Sequence, residues 1–181
     1  SANLRFKALF SRGVLCSEAG DKNSAWKDYT AVIESDVAPS EVKAQAFVNR
    51  GIMHGERGES RLEVADCTSA LALSKKGSPM EAVALNNRAF AYGDMGHHED
   101  LLRDLEALFT QANPKEVRRI VSSRALETCE ALIEALYRHT TDPTKWRVRV
   151  ARFVSHFSGL KLLAELGESL VRGLQILQDS I

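Results

Sequence analysis

No run of apolar residues in this chain approaches the ~20 that a bilayer-spanning helix needs, so no membrane span is expected. A surplus of one charge is also missing, because 24 Lys and Arg offset 24 Asp and Glu. Nucleic-acid and membrane-surface partners draw on unpaired cations, so neither is expected. Cysteine is scarce: Cys16, Cys67 and Cys129 are odd in number, far apart and in no metal-ligand or redox spacing. They read as reduced, mostly buried thiols of a cytoplasmic protein, and the chain shows no charged-then-apolar secretory leader. Glycine-rich phosphate loops, nucleophile elbows and spaced carboxylate pairs do not stand out. No catalysis of its own, no cofactor and no metal are therefore expected. Few aromatics argue against an RNA-binding repeat, which stacks bases on exposed rings.

What the chain does have is a pattern that returns every 38 residues. An Arg–small–apolar triplet recurs as Arg12-Gly13-Val14, Arg50-Gly51-Ile52 and Arg88-Ala89-Phe90. Each is followed by a glycine (Gly20, Gly58, Gly96) and then by an aspartate (Asp28, Asp66, Asp104). Periods of this size mark stacked helical units, none of which buries its own apolar face alone.

Turn signals divide each unit into two helices. The first pair spans about Leu4–Glu18 and Ser24–Glu34, the second Ser40–Glu56 and Ser60–Ser74, the third Pro79–Asp94 and His98–Gln111. Glycine past a helix supplies a left-handed cap, which accounts for its return at each tight turn. All four prolines stand at helix entrances, in Pro39-Ser40, Ser78-Pro79, Asn113-Pro114 and Asp142-Pro143. Ser78-Pro79-Met80-Glu81 also offers a capping box.

The pattern stops after residue 112. One long helix is expected from Lys115 to about His139, then a segment with Trp146, Val150, Phe153 and Phe157 on one face. A last helix from about Leu160 sets Leu163, Leu166, Leu170, Leu174, Leu177 and Ile181 on a stripe. That stripe either seals the end of the stack, as solenoids require, or forms a homodimer seam. Lys145 to Arg152 is the most basic stretch; its aromatics are expected to dock on preceding helices while the arginines face water. The expected domains are thus three repeats over 1–112 and a helical extension over 113–181.

Residues 4–112 resemble the tetratricopeptide repeat. That family places a small residue in the middle of its first helix, a glycine before the turn, and small then aromatic residues in its second helix. Gly13, Gly20, Ala25 and Tyr29 fit this in the first unit, and Gly51, Gly58 and Ala70 in the second. Ala89 and Gly96 fit in the third. Departures are Val32 at the late alanine, Glu63 at an early small position, Cys67 at the aromatic one, and a period one helical turn longer than the usual ~34. The resemblance implies an all-α fold, a right-handed α–α superhelix of three helix pairs plus C-terminal helices. It also implies a protein–protein interaction module or scaffold that binds a peptide or helix in a concave groove lined by the first helices. The alternative is a regulatory or accessory domain of a larger enzyme whose catalytic part lies elsewhere.

Carried over from the family, the groove positions are Ser11, Asn49 and Asn87; Glu18, Glu56 and Asp94; and Gln45 with Lys7 and Val83. Asparagine both donates to and accepts from an extended backbone, and the acidic row suits a basic segment. The arginine ladder invites a claim of anion binding, yet every arginine has an aspartate sixteen residues on. Structural Arg–Asp pairing within or between units is the expected outcome. His97-His98-Glu99-Asp100 lacks the i, i+4 spacing that brings two imidazoles to one ion, so an exposed turn is expected. His54 is expected in the core, and Glu63 at an edge with its carboxylate in water.

Overall fold

The computed structural model describes residues 2–111. Among them the chain is all-helical: α1 (Ala2–Glu18), α2 (Lys22–Glu34), α3 (Ser40–Glu56), α4 (Ser60–Leu73), α5 (Pro79–Asp94) and α6 (His98–Gln111). The helices expected beyond residue 112, with their capping or dimer-forming stripe and Cys129, lie outside the described residues.

Where the helices begin follows from their caps. The Asp21 carboxylate accepts the Ser24 N–H at 3.0 Å, so α2 starts at Lys22 and not at Ser24. At α5 the Ser78 hydroxyl accepts the Glu81 N–H at 3.2 Å, while the Glu81 carboxylate reaches back to the Gly77 N–H. The reciprocal half of the expected box thus closes one residue upstream of the cap.

Each pair turns through the same motif. The Gly58 N–H donates to the Gly55 carbonyl and the Glu59 N–H to the His54 carbonyl, both at 2.9 Å. Gly20 and Gly96 repeat this bonding, with Asp21 on Cys16 and His97 on Tyr92. Two nested bonds of this kind satisfy carbonyls that the helix end leaves open. They require a left-handed residue, and Gly58 sits at φ +73°.

Packing follows the period. A Cβ on Gly13 would come within 2.7 Å of the Tyr29 ring, so this glycine is what lets α2 lie against α1. Each helix packs on the next, and α3 also touches α1 and α5. Phe6, Ala25, Tyr29, Val32, Val42, Ala46 and Met53 form one buried cluster that runs from the first pair into the second. Ala44, Val48, Ala70 and Ala84 continue it into the third. Leu101, Leu102, Leu105 and Leu108 are the buried stripe of α6. Burying a side chain of this size stabilises by about 1.5–3 kcal/mol.

One expectation is corrected. Glu63 is buried at 7% exposure and does not reach water at an edge. Its carboxylate lies over Gly55, where any Cβ would overlap it. The room taken by this bulky residue on α4 is given back by a missing side chain on α3.

Candidate functional site

The three arginines are occupied as structure. Arg50 donates from Nε and Nη2 to the two Asp66 oxygens at 2.8 Å each, and Arg88 grips Asp104 in the same way at 2.7 Å. Arg12 repeats the fork on Asp28. Planar two-point contacts of this kind neutralise both partners. The Asp104 hydrogen bond holds the Arg88 guanidinium above its usual range. The ladder joins the two helices of each pair, so its arginines are not free to bind an anion.

The ladder is not uniform along the stack. Side-chain exposure is 66% for Arg12 but 18% for Arg50 and 19% for Arg88. Arg88 spends its remaining Nη1 on the hydroxyl of Thr68, on α4 of the preceding pair, at 3.0 Å. This clip between units was not anticipated from the sequence. The period does not encode it, because Thr30 stands one period before Thr68 and its buried hydroxyl makes no such bond.

The positions implied by the resemblance fall into different surroundings. Ser11 is exposed and Asn49 half-buried, but Asn87 is buried, as is its neighbour Asn86. The asparagine row is therefore open only over its first two members. Seven residues of α5 are buried, distributed around the helix, so it lacks the open side that α1 keeps. Glu18, Glu56 and Asp94 are all exposed. Glu56 is engaged by Lys22 at 2.9 Å, with both partners about half exposed; a contact of that kind is worth ~0–1 kcal/mol.

Gln45 is half-buried and borders a cleft of about 370 Å³. Its walls come from the start of α3 (Ser40, Glu41, Ala44), the end of α4 (Leu73, Ser74, Lys75) and the start of α5 (Ser78, Pro79, Met80). Asp94 borders a separate hollow between the α3–α4 turn and the end of α5, with Gly58, Glu59 and Leu62. The first cleft combines apolar walls with hydroxyls, one amide, one acid and one base. Side chains of a bound segment suit such a lining.

Between the first two pairs lies an aromatic and cationic cluster that sequence reasoning missed. Trp26 meets His54 edge-on at 4.9 Å, and the Arg57 guanidinium lies over the indole at 4.6 Å from its centre. Arg50 approaches the same ring at 5.7 Å. His54 is buried, as expected, and its Nδ1 hydrogen-bonds the Glu59 carboxylate at 2.6 Å. Within this joint Arg50 is bonded to Asp66 and His54 to Glu59, while Arg57 lies on the Trp26 ring, so the cluster reads as a seam between units.

Burial pushes the Cys67 thiol up to about 12, with Glu63 adding to the rise, so it holds no thiolate near neutral pH. His97 stacks on Tyr92 and is 4.0 Å from Asp100. Among the described residues no group of three or more His, Cys, Asp or Glu gathers around a common point. No helix among them is long and apolar enough to cross a membrane. No protein-family model matches the chain, and no curated protein matches it.

Proposed function

We propose that the chain is a protein–protein interaction module, a cytoplasmic scaffold without catalysis of its own. Its three helix pairs would form a right-handed α–α superhelix of tetratricopeptide type that holds an extended peptide along the first helices. One observation carries this reading. Gln45 stands at the edge of the 370 Å³ cleft, and the half-buried Asn49 follows it one turn later on α3. Two adaptable amides beside a partly apolar hollow can pair a strand-like backbone while the hollow takes a side chain.

The test is selection of binders from a displayed library of unstructured peptides at physiological salt, followed by affinity measurement on Gln45→Ala and Asn49→Ala. Each hydrogen bond removed at ~1.5 kcal/mol corresponds to about tenfold in affinity. Weakening of that size at an unchanged melting temperature supports the groove. Equal affinity in both variants, or selection of RNA with steep salt dependence, counts against it.

A further inference from the structure

We infer that the 370 Å³ cleft between the second and third pairs takes an aromatic side chain of a partner peptide, flanked in that peptide by one basic and one acidic residue. The inference rests on the groove reading above for its ligand being a peptide, and adds which side chain the site selects.

The repeat shows what the cleft is missing. At the joint of the first two pairs Phe6 is 7% exposed and shares a cluster with Val32, Val42 and Ala46. One period on, these positions are Ala44, Ala70, Met80 and Ala84. The Phe6 ring has no counterpart there, and Val32 gives way to the smaller Ala70. The three alanines close on Val48, but beside Ala44 the joint stays open as the cleft. Val42 is 3% exposed, whereas Met80 at the same position is only half-buried in the cleft wall. Leu73, also on the wall, is 36% exposed. Every lining residue lies between 40 and 80, with α3 and α4 on one side and α5 on the other, so the opening is not an end of the stack.

Size and surface favour a ring. The volume lies near the lower end of the ~300–1,000 Å³ of ligand pockets, which suits one large side chain. Aromatic side chains carry the largest apolar area into such a site, and the Met80 thioether packs well against a ring edge.

Charge sets the flanks. Glu41 at the start of α3 and Lys75 just past the end of α4 both border the cleft and are both exposed. Neither is engaged by another side chain among the described residues. Their equivalents at the first joint are Asn3 and Val37, so the opposite charges are present where the ring is missing and absent where it is in place. A basic ligand residue meets Glu41 and an acidic one meets Lys75. Exposed pairs add little affinity but fix orientation and register.

The probe is a capped tripeptide with phenylalanine between lysine and aspartate, made in both orders and titrated onto the whole chain by NMR. Saturable binding of one order is expected, with amide shifts at Ala44, Leu73 and Met80. Replacing its phenylalanine by alanine should weaken binding about tenfold or more. Ala44→Phe should abolish binding at an equal or raised melting temperature, because the chain's own ring then fills the cleft as Phe6 fills the first joint. Leu73→Asp gives a second reading at an exposed wall position and should weaken binding about tenfold. Glu41→Lys with Lys75→Glu should invert which order binds better. No saturable binding, equal affinity for the alanine tripeptide, indifference to both Ala44→Phe and Leu73→Asp, or an order preference that ignores the charge exchange would overturn the inference. Tighter binding of free phenylalanine than of either tripeptide would do the same, by assigning the cleft to an amino acid. A library-selected peptide that depends on Gln45 and Asn49 but on no aromatic residue would overturn it and leave the groove standing. Tripeptide binding that persists while Gln45→Ala and Asn49→Ala leave selected peptides unaffected would remove the groove alone.

Discussion

The buried carboxylate of Glu63 fills the space that a side chain at position 55 would need, which makes Gly55 and Glu63 a matched pair across α3 and α4. Glycine in a helix costs up to about 1 kcal/mol relative to alanine, and here that cost leaves room for a buried acid. The two positions should therefore be strongly coupled. Gly55→Ala alone is expected to destabilise the chain by about 1–2 kcal/mol, because the displaced carboxylate loses its partners in a buried site. In a Glu63→Ala background the same Gly55→Ala should stabilise by up to ~1 kcal/mol. Urea melts of the four chains give the coupling, and additivity would show that the two side chains do not meet.

The ladder predicts a graded response. Arg50→Ala leaves Asp66 buried with only the His54 imidazole, 3.8 Å away, beside it, and loss of one partner from a buried pair costs about 3–5 kcal/mol. Arg88→Ala should cost as much and additionally free Thr68. Arg12→Ala should cost distinctly less, because water can replace an arginine that is already 66% exposed. Equal losses at the three positions, measured by chemical denaturation, would refute the gradient.

Alkali should unfold the chain through Tyr29 and Cys67. Burial raises Tyr29 from 10.0 to about 12, and burial with nearby Glu63 raises Cys67 from 9.0 to about 12. Both groups keep their protons longer in the folded state than in the unfolded state. Their contribution is complete below pH 9, declines as the unfolded chain ionises, and is lost as pH rises through about 12. Tyr29→Phe and Cys67→Ala should each flatten the fall in melting temperature between pH 9 and 11. A profile identical to the parent chain in both variants would remove these groups as its cause.

Much of the fold was legible in the sequence because its determinants are local or periodic. Gly20, Gly58 and Gly96 mark their own turns, and Arg12, Arg50 and Arg88 point to their aspartates by constant spacing. Three helices run over the residues expected, while α2 starts two residues early because Asp21 makes a better cap than the region around Ser24. Glu63 was misread because its compensation lies at Gly55, on another helix, although the pairing recurs one period on, where Gly93 faces Leu101. The groove positions were less legible. Ser11, Asn49 and Asn87 share one place in the period, but their burial depends on what packs beside each helix, which no single unit encodes. Trp26 and Arg57 were missed for the same reason: neither recurs in the other units, and their meeting is a property of one joint.

Because Arg88 reaches both forward to Asp104 and backward to Thr68, the length of a unit is locked to the bonds that hold it. A single residue inserted into α4 ahead of Thr68 would rotate its register by about 100° and swing that hydroxyl off the guanidinium. Insertion or deletion of a whole 38-residue unit would instead return each arginine to an aspartate sixteen residues on. Growth or shortening of such an array by complete units is therefore tolerated where a one-residue slip is not.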